Sequence, residues 1–280
     1  MTDMMDAVEG YGDNETLQLI EHRSSTRAFA RTEDGRPLPV TDAQRAAVIR
    51  AASRAPTGGA MMMYSIIDIR KPETLDRLAV LCDNQPMIAH APWALVFVVD
   101  YAKWIDLFDY TGCFEESFAE KTGKQPRRNP GLGEFAIAAQ DTVAAAQNAV
   151  IAAEAVGLGS CYIGDIIENA EEIAALLELP EHTIPLSMLI LGTPAKERPA
   201  TPHPVENLVM SERYRPADQA TMDAQIAEMD AMFRPHATEA GARARDIYTR
   251  KHTSAFMLEM GRSMARWFEN WSGKDEGRQG

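Results

Sequence analysis

Residues 135–164 read FAIAAQDTVAAAQNAVIAAEAVGLGSCYIG, and the order of features in this stretch decides the fold. Between Phe135 and Val156 stand ten alanines and two charges, Asp141 and Glu154. Alanine has the highest helix propensity and adds little bulk, so this is a long helix packed closely on several sides, the central helix of the molecule. Small side chains of this kind serve a close helix contact between subunits and burial within one chain equally well. Gly157-Leu158-Gly159 then ends the helix as a C-cap, and Ser160-Cys161-Tyr162-Ile163-Gly164 reads as a short strand or loop. A dinucleotide-binding fingerprint needs a strand before its glycines and a helix after them. Here the order is reversed and Tyr162 takes the place of the third glycine, which rejects that fold.

Upstream, Thr16 to His22 has a short helical pattern and runs into the basic cluster Arg23-Ser24-Ser25-Thr26-Arg27. A helix from the N-cap Thr41 to Arg54 stops at Ala55-Pro56-Thr57-Gly58-Gly59. Tyr64 to Ile69 reads as a strand, Pro72 to Leu81 as a helix and Trp93 to Asp100 as a fully buried strand. Residues 101–132 form an aromatic excursion (Tyr101, Trp104, Phe108, Tyr110, Phe114, Phe118); with a hinge at Gly131-Leu132-Gly133 it is either a lid or surface packing. Downstream, a helix from about Ala170 to Leu179 leads into a strand Leu186 to Leu191, closed by Gly192-Thr193-Pro194. Phe256, Met257, Met260, Met264, Trp267, Phe268 and Trp271 then fall on one helical face, an apolar stripe docked on the core or on a partner subunit. This divides the chain into a main domain at 15–200 and a C-terminal helical extension at 201–280.

The 280 residues carry a formal net charge of −13, which repels a phosphate backbone and argues against nucleic acid as a partner. No apolar run approaches the roughly 20 residues that span a bilayer, so no membrane role is expected. Met1 to Asn14 is acidic, without the basic start and apolar core of a signal peptide, and Cys82, Cys113 and Cys161 form no paired motif. Both features point to the cytoplasm. The six histidines lack metal-ligand spacing, so no metal is expected, and the common hydrolase and nucleotide-phosphate signatures are absent.

Arg23 and Arg27, four apart with two serines between them, place charge-assisted and hydroxyl donors together, as a phosphate or ribityl chain requires; taken alone, the cluster also reads as a solvated turn. Four motifs in order carry more weight. Arg23 to Phe29, Ala55 to Ser65, Gly157 to Gly164 and Leu191 to Ala195 together resemble the nitroreductase family of FMN-dependent enzymes, in the longer subgroup with a C-terminal helical extension. The resemblance implies an α+β fold with a mixed central sheet flanked by helices, and a homodimer binding FMN at the subunit interface. It implies that Arg23, Ser24, Ser25 and Arg27 hold the phosphate and ribityl chain. Pro56, Thr57, Gly58, Gly59, Met61 and Met62 would lie along the flavin from the other subunit. Tyr162, Ile163 and Gly164 would cover one ring face, with the Gly164 N–H toward flavin N5. Two departures stand out. Ala60 replaces an asparagine common in the family, which leaves the backbone of Met61 or Met62 to substitute, and the usual basic pair after the Gly-Thr-Pro strand end is reduced to Lys196, Arg198 and His203, of which Arg198 is the phosphate candidate.

The implied chemistry is ping-pong electron transfer from NADH or NADPH through flavin N5 to a small organic acceptor such as a nitroaromatic or quinone, with no catalytic side chain. A same-fold flavoenzyme with other chemistry (oxidase, dehalogenase) and a non-catalytic FMN-binding protein are the alternatives.

Overall fold

The computed structural model describes residues 13–124, 127–196 and 208–273. The chain divides into two compact units, one of residues 19–199 with 260–280 and one of residues 1–18 with 200–259.

In the larger unit, β1 (Tyr64–Ile69), β2 (Trp93–Asp100), β3 (Gly159–Ile163) and β4 (Thr183–Gly192) form one sheet in the order β1-β2-β4-β3. Every neighbouring pair is antiparallel. This corrects the expected mixed sheet: the sole parallel pairing among the described residues is an isolated bridge, Ser25 to Ser160, made where an incoming segment docks on the edge strand β3. β4 begins three residues earlier than its apolar run, because Pro185 enters the ladder at a register irregularity between Phe97 and Val98 of β2. Proline lacks the N–H that a regular ladder position requires, and a bulge is where a central strand tolerates it.

All eight residues of β2 are buried because both sheet faces are covered. Its alternation divides them: Trp93, Leu95 and Phe97 join one apolar cluster, and Ala94, Val96 and Val98 the other. The first face is closed by α2 (Asp42–Ala52), whose Thr41 N-cap forms a reciprocal capping box with Gln44, and by α7 (Leu132–Ala155). Ala145, Ala146, Ala149 and Ala153 of α7 are completely buried there, and their lack of bulk lets the helix lie close on the sheet. The second face is closed by α3 (Pro72–Leu81), α4 (Pro86–Ala89) and α8 (Ala170–Leu177). The aromatic stripe of the last helix, α11 (Ala255–Ser272), packs there too from Met264 onward, on this chain's own core. Its buried indoles are satisfied: Trp267 Nε1 donates to the Ile167 carbonyl at 2.8 Å and Trp271 Nε1 to that of Gly131 at 3.0 Å.

The excursion consists of α5 (Ala102–Tyr110) and α6 (Glu116–Thr122), preceded by Tyr101. Gly131, expected as part of a hinge, is the N-cap of α7, its N–H bonded to Glu134 Oε2 at 2.9 Å.

In the smaller unit, Asp218 caps α9 (Gln219–Phe233). The Asp230 carboxylate accepts from the backbone N–H groups of Gly241, Ala242 and Arg243 and so caps α10 (Ala242–Ile247). Arg234, Arg243 and Arg250 all pair with Asp246. No helix among the described residues is long and apolar enough to cross a membrane, and no group of His, Cys, Asp or Glu there could hold a metal ion.

Candidate functional site

Three of the four motifs converge at the β3 edge. The segment after α1 (Glu15–His22) runs beside β3, with the Thr26 N–H donating to the Ser160 carbonyl at 2.8 Å. It continues along the end of β4, where Ala30 donates to Thr193 at 2.8 Å and Ala195 to Ala28 at 3.0 Å. Two glycines permit this approach. A Cβ on Gly159 would collide with the Thr26 side chain, its Cβ only 2.7 Å away, and one on Gly192 would lie 2.8 Å from Phe29 Cδ1 and 2.7 Å from Pro92 Cγ. These glycines serve close packing.

Arg23, Ser24 and Ser25 are half-buried on this edge and Arg27 is exposed. Arg23 Nε is buried without a hydrogen-bond partner, and so is Glu154 Oε1 from the far end of α7. Burial raises the Glu154 carboxyl above the ordinary carboxylate value, with the Arg23 guanidinium pulling the other way. Burial likewise pushes up the Cys161 thiol, against the pull of Arg27, a hydrogen bond from Ser25 and the pull of Arg23. Tyr162 is 40% exposed, and its hydroxyl donates to Gln147 Oε1 at 3.5 Å. Partial burial pushes the phenol up to about 12, with Arg23 opposing. Strand alternation points Tyr162 and Gly164 outward and sends the Ile163 side chain into the core at 1% exposure. Ile163 therefore offers only its backbone outward. A Cβ on Gly164 would meet nothing within 4 Å, so the surface beside it is open.

The fourth motif, 55–65, lies elsewhere on the chain. Its backbone is left-handed at Gly59 (φ 58°), Ala60 (φ 56°) and Met62 (φ 47°). Asp141, buried on α7, fixes both ends of the turn: Oδ1 accepts from the Gly58 N–H at 2.8 Å and Oδ2 from the Met63 N–H at 3.5 Å. From the excursion, Trp104 Nε1 donates to the Met61 carbonyl at 2.9 Å and Lys103 Nζ to that of Tyr64 at 2.5 Å. The Met62 N–H donates to Thr57 Oγ1 at 3.3 Å and the Met61 N–H to the Gly58 carbonyl at 3.1 Å. The backbone groups at 61 and 62 thus already have partners in their own chain, while Pro56, Gly59, Ala60 and the Met62 side chain face outward.

Asp141 and Glu154, the two charges of α7 beyond its first turn, thus stand one beside the 55–65 turn and one beside Arg23. Thirteen residues of helix separate them, roughly 20 Å at 1.5 Å per residue. The signal in the sequence is their isolation: no other charge stands between Phe135 and Val156. Lys196 is exposed after the β4 end, whereas Arg198 and His203 lie outside the described residues.

These residues fit FMN. An unpartnered buried guanidinium N–H beside serines and a second arginine suits a phosphorylated chain, and an open patch flanked by Tyr162 and Gly164 suits a flat ring.

Comparison with known proteins agrees. The nitroreductase-family profile matches residues 20–193. The chain is 34% identical over 218 residues to an oxygen-insensitive NADPH nitroreductase of Salmonella typhimurium, covering 76% of this chain and 81% of that protein. It is 31% identical over 182 residues to an FMN reductase (NADPH) of Bacillus subtilis, covering 65% and 67%. Among solved structures, the NADPH:FMN oxidoreductase of Vibrio harveyi complexed with NAD+ shares the fold at a TM-score of 0.73 and 23% identity, over 91% of this chain and 98% of that one. With its four motifs, its sheet order and its matched span, the chain belongs to the nitroreductase family.

Proposed function

We propose that this chain is an FMN-dependent oxidoreductase that passes electrons from NADPH or NADH to a small organic acceptor such as a nitroaromatic or quinone, by a ping-pong sequence. In this reading it acts as a homodimer with each flavin site shared between subunits. The observation that carries it is the division of these motifs: a cluster with an unpartnered buried guanidinium N–H, Arg23 Nε, stands toward one end of α7 and an outward-facing loop is held by Asp141, about 20 Å along the helix. A second copy brings its loop to the first copy's cluster. The outward face of α7 suits that contact, since Ala136, Ile137, Gln140, Val143 and Gln147 present no charge and Ile137 and Val143 are each 49% exposed.

FMN bound here would supply the hydride chemistry between nicotinamide and acceptor. The chain contributes binding and orientation. Arg23, Ser24, Ser25 and Arg27 hold the phosphate and ribityl chain, with Arg198 as a further phosphate ligand. Tyr162, the Ile163 backbone and Gly164 would line one ring face, with the Gly164 N–H available to N5, and the loop of a second copy, residues 56 to 62, would close the edge against water. No side chain is assigned a proton-transfer role. The names of the relatives favour NADPH as the donor.

Arg23→Met tests the assignment, because it keeps the aliphatic stem and removes the donors. Loss of a charge-assisted hydrogen bond costs about 1.5–3 kcal/mol, so FMN affinity should fall roughly 10- to 100-fold. An unchanged dissociation constant would remove Arg23 from the site.

A further inference from the structure

Apart from Lys103 and Trp104, which bond the 61–64 backbone, the aromatic excursion is not accounted for by the flavin site. Its two helices, α5 and α6, and the segment 128–130 flank a pocket of about 290 Å³ that opens to solvent. Ile105, Phe108, Phe114 and Phe118 form its apolar walls, with Cys113 and Arg128 among the remaining lining residues. None of the lining residues belongs to the four flavin motifs.

We propose that this cavity is a second small-molecule site, taking a flat aromatic of one or two rings that carries a neutral hydrogen-bond acceptor. Its size is the first reason. It lies close to the roughly 300 Å³ at which ligand pockets begin, about the room a one- or two-ring aromatic needs. The second reason is the shape of the wall. Phe108 meets Phe114 edge-on, with ring centroids 6.3 Å apart at 77°, and the Arg127 guanidinium lies over the Phe114 ring at 5.1 Å. Rings held in that attitude offer both edges and faces to a planar guest, the two preferred geometries for aromatic pairs.

The polar end selects the guest's charge. Arg128 is paired with Glu134 and donates through Nη1 to the Asn129 carbonyl at 3.3 Å. Glu134 neutralises the guanidinium, while guanidinium N–H groups outside these two contacts can still donate. A carbonyl or nitro oxygen is matched there; a carboxylate would compete with Glu134 for a charge already compensated. Entry is open, because Phe118 is 42% exposed.

Cys113 is a built-in reporter. It lines the cavity and is half-buried, whereas Cys82 and Cys161 are buried. The test measures the rate of Cys113 alkylation by iodoacetamide in the FMN-loaded full chain, with increasing 2-acetonaphthone, a two-ring ketone, while the flavin spectrum is followed in parallel. Saturable protection of at least fivefold with an unchanged flavin spectrum is expected. Phe118→Ala, which removes one wall at a partly exposed position, should weaken the protection constant at least fivefold while FMN content stays the same. Three results would overturn the proposal: no protection up to the solubility limit, the same constant in Phe118→Ala, or protection that saturates together with a shift of the flavin bands, which would place the ketone on the flavin. An FMN-free protein would defeat the functional reading, while Cys113 protection would still be measurable on it.

Discussion

Asp141→Ala removes the acceptor that shapes the loop at 57–63, and its effect can be worked out from two contacts. The 2.8 Å bond from the Gly58 N–H to a buried carboxylate is charge-assisted and contributes about 1.5–3 kcal/mol. The 3.5 Å contact from Met63 is at the outer limit of hydrogen bonding and adds little. Alanine also leaves the Gly58 N–H without its acceptor, which places the total at about 2–3 kcal/mol. For a unit of this size each kcal/mol moves Tm by about 2–4 °C, so the melting temperature should fall by roughly 4–12 °C. The loop carries three left-handed residues that depend on this anchor, so FMN affinity should fall at least about tenfold as well, the equivalent of 1.4 kcal/mol. Asp141→Asn keeps one oxygen toward Gly58 and should show about half of each effect. Differential scanning fluorimetry and flavin titration on the three proteins check this. A Tm within 1 °C of wild type together with unchanged FMN affinity would refute the anchoring role.

Ala60 sits at φ 56°, where a Cβ costs about 1–2 kcal/mol. Glycine relieves that strain but adds freedom to the unfolded chain, so Ala60→Gly should stabilise by about 0.5–1 kcal/mol, read as a rise in Tm; a fall would show that the Ala60 methyl packs in a way its exposure does not suggest. Glu154 gives a pH dependence. Its carboxyl is raised in the folded chain, so its stabilising contribution is complete below the ordinary carboxylate value and is lost as pH rises through the raised one. In protein without added FMN, Glu154→Gln should therefore exceed wild type in Tm near neutral pH and converge with it in acid; equal melting curves at every pH would contradict the burial effect.

Much of this fold is written in local pattern. Tyr64–Ile69, Pro72–Leu81 and Trp93–Asp100 have the boundaries that alternation, proline at a helix start and an unbroken apolar run imply. The antiparallel pairing was not legible, because Trp93 to Asp100 is apolar on both faces and carries no record of its neighbours' direction. Pro185 hid the start of β4, since proline argues against a central strand unless it stands at a bulge, and only the paired register, which skips Leu186, reveals that. For the proposed site, Arg23, Ser25, Tyr162 and Gly164 could be nominated from residue type and order. The roles of Asp141 and Trp104 could not, because each bonds a backbone group 78 or more and 43 residues away respectively, and a backbone partner leaves no trace in side-chain pattern.

The most direct test of the central claim is the visible spectrum of the purified, FMN-reconstituted protein under anaerobic conditions, recorded before and after NADPH, then NADH in a separate sample, and finally a quinone or nitroaromatic. The account predicts flavin bands that bleach with nicotinamide, faster with NADPH, and return on addition of the acceptor. Bands that persist with both nicotinamides, or a colourless protein that takes up no FMN, would contradict it.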